Sequence, residues 1–304
     1  MTDEARARAL AEERAGRRAA GDFAAADELR GAIAALGFTV VDAPEGFRLE
    51  RVPVRDVERV RPDQVASRLG EPADVDVTVH WLDEGWPEDV LRGIAAFRAH
   101  AEGRSVQHVV VEAVPSATEW PDDVEVVRLV PGAGWGRARN AGLERTRGRM
   151  VLVVDASIEP TGDVLGPLEA ALEDPAVGIA GPVGAVTDAE LHDFTPAEGP
   201  DCDAIEGYLM AFRRDLLESG LRFDPKFRFY RSADLELSFQ VLDRGLRARV
   251  VEVPIERHEH RMWWTTSPED RRQWSKRNFY RFLDRWRGRS DLTVAGRAAD
   301  PTGG

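Results

Sequence analysis

Two stretches of this chain combine residue types suited to phosphate and metal chemistry. The first is the apolar run 150–154, which ends in Asp155. A carboxylate at the carboxyl end of a buried strand faces the crevice where α/β sheets bind ligands. Its hard oxygens suit a divalent cation. The same sequence, Asp155-Ala156-Ser157, also suits a turn or a helix cap. The second stretch is Gly134-Trp135-Gly136-Arg137-Ala138-Arg139-Asn140-Ala141-Gly142. Its glycines allow close backbone approach, its arginines match phosphate, and the start of a helix adds a favourable dipole. A turn with solvated arginines is the alternative.

The elements that must position these residues follow from periodicity. Segments 75–82, 106–111, 124–130, 150–155 and 177–181 read as strands. Helical patterns lie between them, at 87–101, 134–146 and 165–172. Strands alternating with helices predict a mostly parallel sheet covered on both faces, with ligands beyond the strand ends. Residues 4–36 are rich in strong helix formers and broken at Gly21-Asp22, where Asp22 suits an N-cap. Short apolar segments around Pro44-Glu45-Gly46 follow. The first 52 residues therefore predict a helical hairpin with a small β-ribbon. Residues 53–73 read as a linker or a crossing segment, 74–288 as the main domain and 289–304 as a flexible tail.

Bulk properties narrow the function classes. The net charge of -13 gives no overall attraction for nucleic acid, so an anionic substrate needs a local cationic pocket or a metal. With Cys202 as the sole cysteine, an intrachain disulfide and a thiolate zinc cluster are impossible. The apolar runs are too short to span a bilayer, and the N-terminus lacks the apolar core of a signal peptide. A cytoplasmic protein is expected, with peripheral attachment to the inner face of the membrane left open.

Read in order, the motifs resemble family 2 glycosyltransferases. The segment GWGRARNAGLERTRGRMVLVVDAS is similar to the family's glycine-rich loop, Arg-Asn-x-Gly helix, apolar strand and Asp-x-Asp motif. AIEGYLMAFRR, Phe223-Asp224-Pro225-Lys226-Phe227 and Ala233-Asp234-Leu235-Glu236-Leu237-Ser238 resemble later blocks of the family. The resemblance runs over residues 74–287. It implies a GT-A-like nucleotide-binding α/β fold and a nucleotide-sugar donor on Glu112, Gly134, Arg137, Arg139, Asn140 and Asp155. It further implies a divalent metal (Mn2+ or Mg2+) on Asp155 and a histidine after strand 249–253, His258 in preference to His260. Asp234 aligns with the base that deprotonates an acceptor hydroxyl. Glu236 faces elsewhere, whether the segment is strand or helix.

The sequence departs from the family at Ser157, which stands where the second Asp of Asp-x-Asp is usual, and at Glu112-Ala113-Val114-Pro115 and Ala233. Residues 10–52 resemble a different protein, the C-terminal element of cysteinyl-tRNA synthetases. That resemblance implies a tRNA or protein contact, although eight arginines face ten acids in residues 1–52. The leading expectation is an inverting glycosyltransferase. The rivals are an inactive relative that binds or scaffolds, and an RNA-associated protein.

Overall fold

The computed structural model describes residues 3–43, 46–51 and 57–299. Helices α1 (Asp3–Ala19) and α2 (Phe23–Ala35) form the expected hairpin, and Asp22 accepts the Ala25 N–H at 3.3 Å as the α2 cap. Strands β1 (Phe38–Ala43) and β2 (Gly46–Arg51) pair antiparallel. The predicted turn residues Pro44 and Glu45 lie outside the described residues. Ala7, Ala11, Ile33, Phe38 and Val40 give this unit its own small core. Arg18 ties it to the body through Asp270 at 3.0 Å.

The segment read as a linker or a crossing segment packs on the body over its described part. Val60 bridges in parallel to Leu129, extending the sheet edge. The buried Arg214 donates to the carbonyls of Arg68 and Glu71 at 2.9 and 2.5 Å.

The main unit begins with β3 (Val75–Asp83), α3 (Pro87–Ala99), β4 (Val106–Glu112), β5 (Val124–Arg128), α4 (Trp135–Leu143) and β6 (Gly148–Val154). Then come β7 (Ile158–Pro160), α5 (Leu165–Leu172), β8 (Val177–Gly181), β9 (Gly184–Thr187), β10 (Phe194–Pro196), β11 (Asp201–Cys202), β12 (Ala204–Ile205) and β13 (Leu209–Arg213). The chain closes with α6 (Arg214–Glu218), α7 (Ala233–Leu242), β14 (Arg247–Val250), β15 (Ile255–Arg257), α8 (Arg261–Thr265), α9 (Pro268–Trp286) and α10 (Val294–Ala299).

The large sheet has the order β11-β14-β8-β13-β6-β3-β4-β5. Strands β6, β3, β4 and β5 are parallel, while β13 runs antiparallel between β6 and β8. After β5 the chain returns to the other side of β3 to lay down β6. The strand order reverses there, which opens a crevice beyond the carboxyl ends of β3 and β6. Continuous apolar runs make this possible, because β6 is buried on both faces: α3 and α5 cover one and α6, α7 and α9 the other.

The expected flexible tail is ordered over residues 290–299. Leu292 is buried, and the buried carboxylate of Asp203 accepts the Val294 N–H at 2.6 Å. Residues 300–304 lie outside the described residues.

Candidate active site

Asp155 and Asp234 line one cavity of about 260 Å³. Asp155 follows the last buried residue of β6, and its N–H donates to the Tyr208 carbonyl at 2.9 Å. Asp234 stands in the first turn of α7, after Ser232, whose φ of 64° is left-handed. That conformation is costly for a residue with a Cβ and is found where a chain direction is over-determined. Here it starts α7 so that Asp234 Oδ2 accepts the Gly207 N–H at 3.0 Å, while Oδ1 accepts the Leu235 N–H. Burial raises the Asp234 pKa, against those two bonds. A carboxylate retains further lone pairs, so a substrate hydroxyl remains a possible donor.

The partner of Asp155 is His260. Antiparallel pairing of β15 with β7 sets Arg257 opposite Ile158, which carries the following residues across the strand ends. His258 then turns to Glu159 at 2.7 Å, and Glu159 also meets Arg92. His260 Nε2 lies 3.1 Å from Asp155 Oδ2. The preference for His258 beside Asp155 is thus corrected by two residues, one full period of an extended chain. His260 also caps α8, its Nδ1 accepting the Trp263 N–H at 3.2 Å. Burial alone would raise Asp155. The His260 hydrogen bond and charge, with two bonds from Ser157, outweigh it and hold Asp155 at about 2. For His260, burial pulls the pKa down, but Asp155 and Glu84 carry it above the ordinary value.

The other expected donor residues sit elsewhere. Glu112 is buried in an ion pair with Arg59, with Arg128 at 3.8 Å, and accepts the Trp120 Nε1–H at 3.2 Å. These contacts weld the sheet edge and leave Glu112 out of the cavity. Arg139 lines the cavity and donates to the Val154 carbonyl at 3.2 Å and to His80 Nδ1 at 3.1 Å, while its buried Nε has no partner among the described residues. It ties the ends of β3 and β6 together, and burial lowers its pKa to about 10. Asn140 clamps the backbone of Phe223, donating to its carbonyl at 2.7 Å and accepting its N–H at 3.0 Å. Gly134, with φ of 82°, starts α4. A Cβ on Gly136 would stand 2.4 Å from the Asp224 carbonyl oxygen, so glycine there permits the contact between α4 and that loop. Arg137 is exposed and lines a different cavity.

Residues 107–236 match the family model described as Glycosyl transferase family 2. No curated protein matches the chain. Among solved structures, GalNAc-T7 with UDP, GalNAc and Mn2+ superposes with a TM-score of 0.56 at 16% identity, over 70% of this chain and 48% of that one. The mannosyltransferase PcManGT from Pyrobaculum calidifontis, in complex with GDP-Man and Mn2+, gives a TM-score of 0.53 at 19% identity, over 79% and 75%. The fold is GT-A. The chain spans about half the length of the GalNAc-T7 chain.

Within the GT-A frame, two cavity acids escaped the sequence reading. Glu206 precedes Gly207 in the same cavity, and burial, with the charge of Asp234, raises its pKa. Glu84 follows β3 at the strand-order reversal, in a small neighbouring pocket that it shares with Asp155 and His260. Burial pushes it up to about 8 despite Arg139. The signal for Glu84 was present, since it follows an apolar strand as Asp155 does. Glu206 had none, because its role depends on the return of α7. Among the described residues no helix is long and apolar enough to cross a membrane.

Proposed function

We propose that this chain transfers a sugar from a nucleoside diphosphate donor to an acceptor hydroxyl by a single displacement with inversion. The observation that carries this reading is the convergence of Asp155 and Asp234, 79 positions apart (234 − 155), on one cavity at the strand-order reversal of a GT-A sheet. Asp234 takes the acceptor proton as its oxygen bonds to the anomeric carbon. The bond from that carbon to the diphosphate breaks, and the nucleoside diphosphate leaves with the electron pair. Burial makes Asp234 a stronger base than a solvated aspartate. Arg231 and His260, on the cavity wall, are placed to meet charge growing on the diphosphate.

A divalent cation such as Mn2+ or Mg2+, invited by a diphosphate, would take Asp155 as its protein ligand. The donor set as arranged does not fit it. Ser157 donates to one Asp155 oxygen and His260 stands against the other, so the side chain beside Asp155 that would have to join it as a ligand is His260. In the neutral ring, where Nδ1 accepts the Trp263 N–H, and in the charged ring alike, His260 Nε2 carries a proton toward Asp155 and has no lone pair for a metal. Among the described residues no group of three His, Cys, Asp or Glu side chains is set to hold an ion. No step of the proposed reaction runs through a metal.

The test is a melting-temperature panel of UDP- and GDP-sugars in EDTA and in Mn2+, followed by an assay of nucleoside diphosphate release. A ligand that binds only the native state raises the melting temperature. One nucleotide sugar is expected to stabilise the protein in EDTA and to be turned over. A rise seen only with Mn2+ would show that His260 leaves its cap to join Asp155 as a ligand. No rise with any nucleotide sugar would defeat the reading.

A further inference from the structure

A second cavity, of about 600 Å³, lies where the N-terminal hairpin meets the GT-A body. Its lining brings together Arg137 of α4, Lys226 and Arg228 of the loop before α7, and Arg277 of α9. No acid is among its described lining residues, in a chain of net charge -13. None of the four cations makes an ion pair or side-chain hydrogen bond among the described residues. Arginines elsewhere on this surface are mostly paired, as Arg147 is with Asp74 and Arg285 with Glu236. Asp63, an acid whose pKa Arg137 influences, is already bound by Arg61 at 3.0 Å. Gathering four like charges without counter-charge raises the energy of the free protein, and an anion in the concavity relieves it.

The position is built rather than incidental. α2 closes one side: a Cβ on Gly31 would stand 3.6 Å from Gly132 Cα. The loop that carries Lys226 and Arg228 is fixed by the Asn140 clamp on Phe223, by the Gly136 N–H on the Phe227 carbonyl at 2.8 Å, and by Arg281 on Asp224 at 2.5 Å. Residues of that loop divide between the two cavities. Lys226 and Arg228 face the cationic one, whereas Phe223, Tyr230 and Arg231 line the one holding Asp234.

We propose that this junction cavity is a binding site for a small phosphate-bearing ligand, separate from the site of sugar transfer. The ligand class is a diphosphate or phosphate monoester. Arginine forks and a lysine ammonium match its oxygens, and a concavity of about 600 Å³ suits a small molecule better than an extended nucleic acid backbone.

The test is calorimetric titration of the full chain with inorganic pyrophosphate, with a hexose phosphate and a sugar-free nucleoside diphosphate as further arms. A dissociation constant of about 1 mM or tighter is expected for pyrophosphate. The double variant K226A/R228A, and separately Arg277→Ala on a different element, should each weaken it by about tenfold or more, with unliganded melting temperatures within a few degrees of wild type. The pyrophosphate binding that K226A/R228A removes should persist in Asp155→Asn and Arg231→Ala, which separates this site from the transfer site. The share of hexose phosphate or nucleoside diphosphate binding that K226A/R228A removes identifies whether the natural ligand carries one phosphate or two. Binding that survives both cavity variants, or falls with Asp155→Asn or Arg231→Ala instead, overturns the proposal. So does bulk tRNA binding in the absence of pyrophosphate binding, which would place the anion contact on the open surface.

Discussion

Strands β4 and β6 flank β3 and run parallel to it, and each ends at an acid, the buried Glu112 and the part-buried Asp155. Position alone makes them equivalent. Their surroundings do not. After β4 the chain folds Trp120 back over Glu112, while Arg59 and Arg128 supply opposite charge. After β6 a tight turn keeps Asp155 at the cavity edge, bonded to Ser157 and His260. The end of a parallel strand offers a place for ligand chemistry. Whether the acid there serves a ligand or the fold depends on what the next segment brings to it.

The largest expected effect sharpens the cavity side of this contrast. Asp234→Asn should lower the transfer rate by about 100-fold to 10,000-fold, since an amide cannot take the acceptor proton. Donor affinity, measured by calorimetry, should stay close to wild type. Near-wild-type turnover would remove Asp234 as the base and leave Glu206 as the cavity carboxylate to test next.

Stability measurements then test the two strand ends directly. Glu112→Gln leaves two part-buried guanidinium groups short of charge around a buried site and should cost about 3 kcal/mol in urea unfolding. Asp155→Asn should cost less stability and much more activity. If Glu112→Gln is nearly neutral for stability and instead weakens donor binding, the contrast is broken and Glu112 belongs to the donor site.

A pH series separates the contributions further. Asp155 is held at about 2, below its ordinary value of 3.8, so its stabilisation is present above about pH 4 and is lost as pH falls through 2. His260 is raised above 6.5, so its share is present below that value and is lost as pH rises through its folded pKa. The stability difference between wild type and Asp155→Asn should therefore be largest between about pH 4 and 6.5, at about 2 kcal/mol. A difference that is flat from pH 3 to 9 would disprove the pair.

The smallest effect concerns the two histidines. His260→Ala should reduce donor-induced stabilisation severalfold and remove a helix cap worth about 1 kcal/mol. His258→Ala should change donor binding little. The reverse ranking would restore the sequence-based choice.

Much of this fold was legible because its strands are continuous apolar runs, and β8 and α5 fall on their predicted limits. Asp155 and Asp234 were legible through motif order. The histidine register was not, since it is set by the pairing of Arg257 with Ile158, a contact between distant segments. Nor was the fate of Glu112, because Arg59 lies in a stretch with no period to announce its fold. Arg139 was read as a ligand group on residue type and Asn140 through the family resemblance, and each also bonds a backbone carbonyl of its own chain. A polar side chain near a glycine-rich loop serves the loop's own geometry as readily as a substrate.

The Asn140 clamp has a kinetic corollary. Its amide joins α4 to the segment leading through Tyr230 to Asp234, using both a donor and an acceptor on one residue, as a ladder rung in a sheet does. That wall of the cavity is therefore tied to α4 by a side chain as well as by backbone, whereas β10 on the other side is an edge strand paired to β9 alone. Changes in β10 should therefore alter the rate of product departure more than the chemical step, which a comparison of single-turnover with steady-state rates would show.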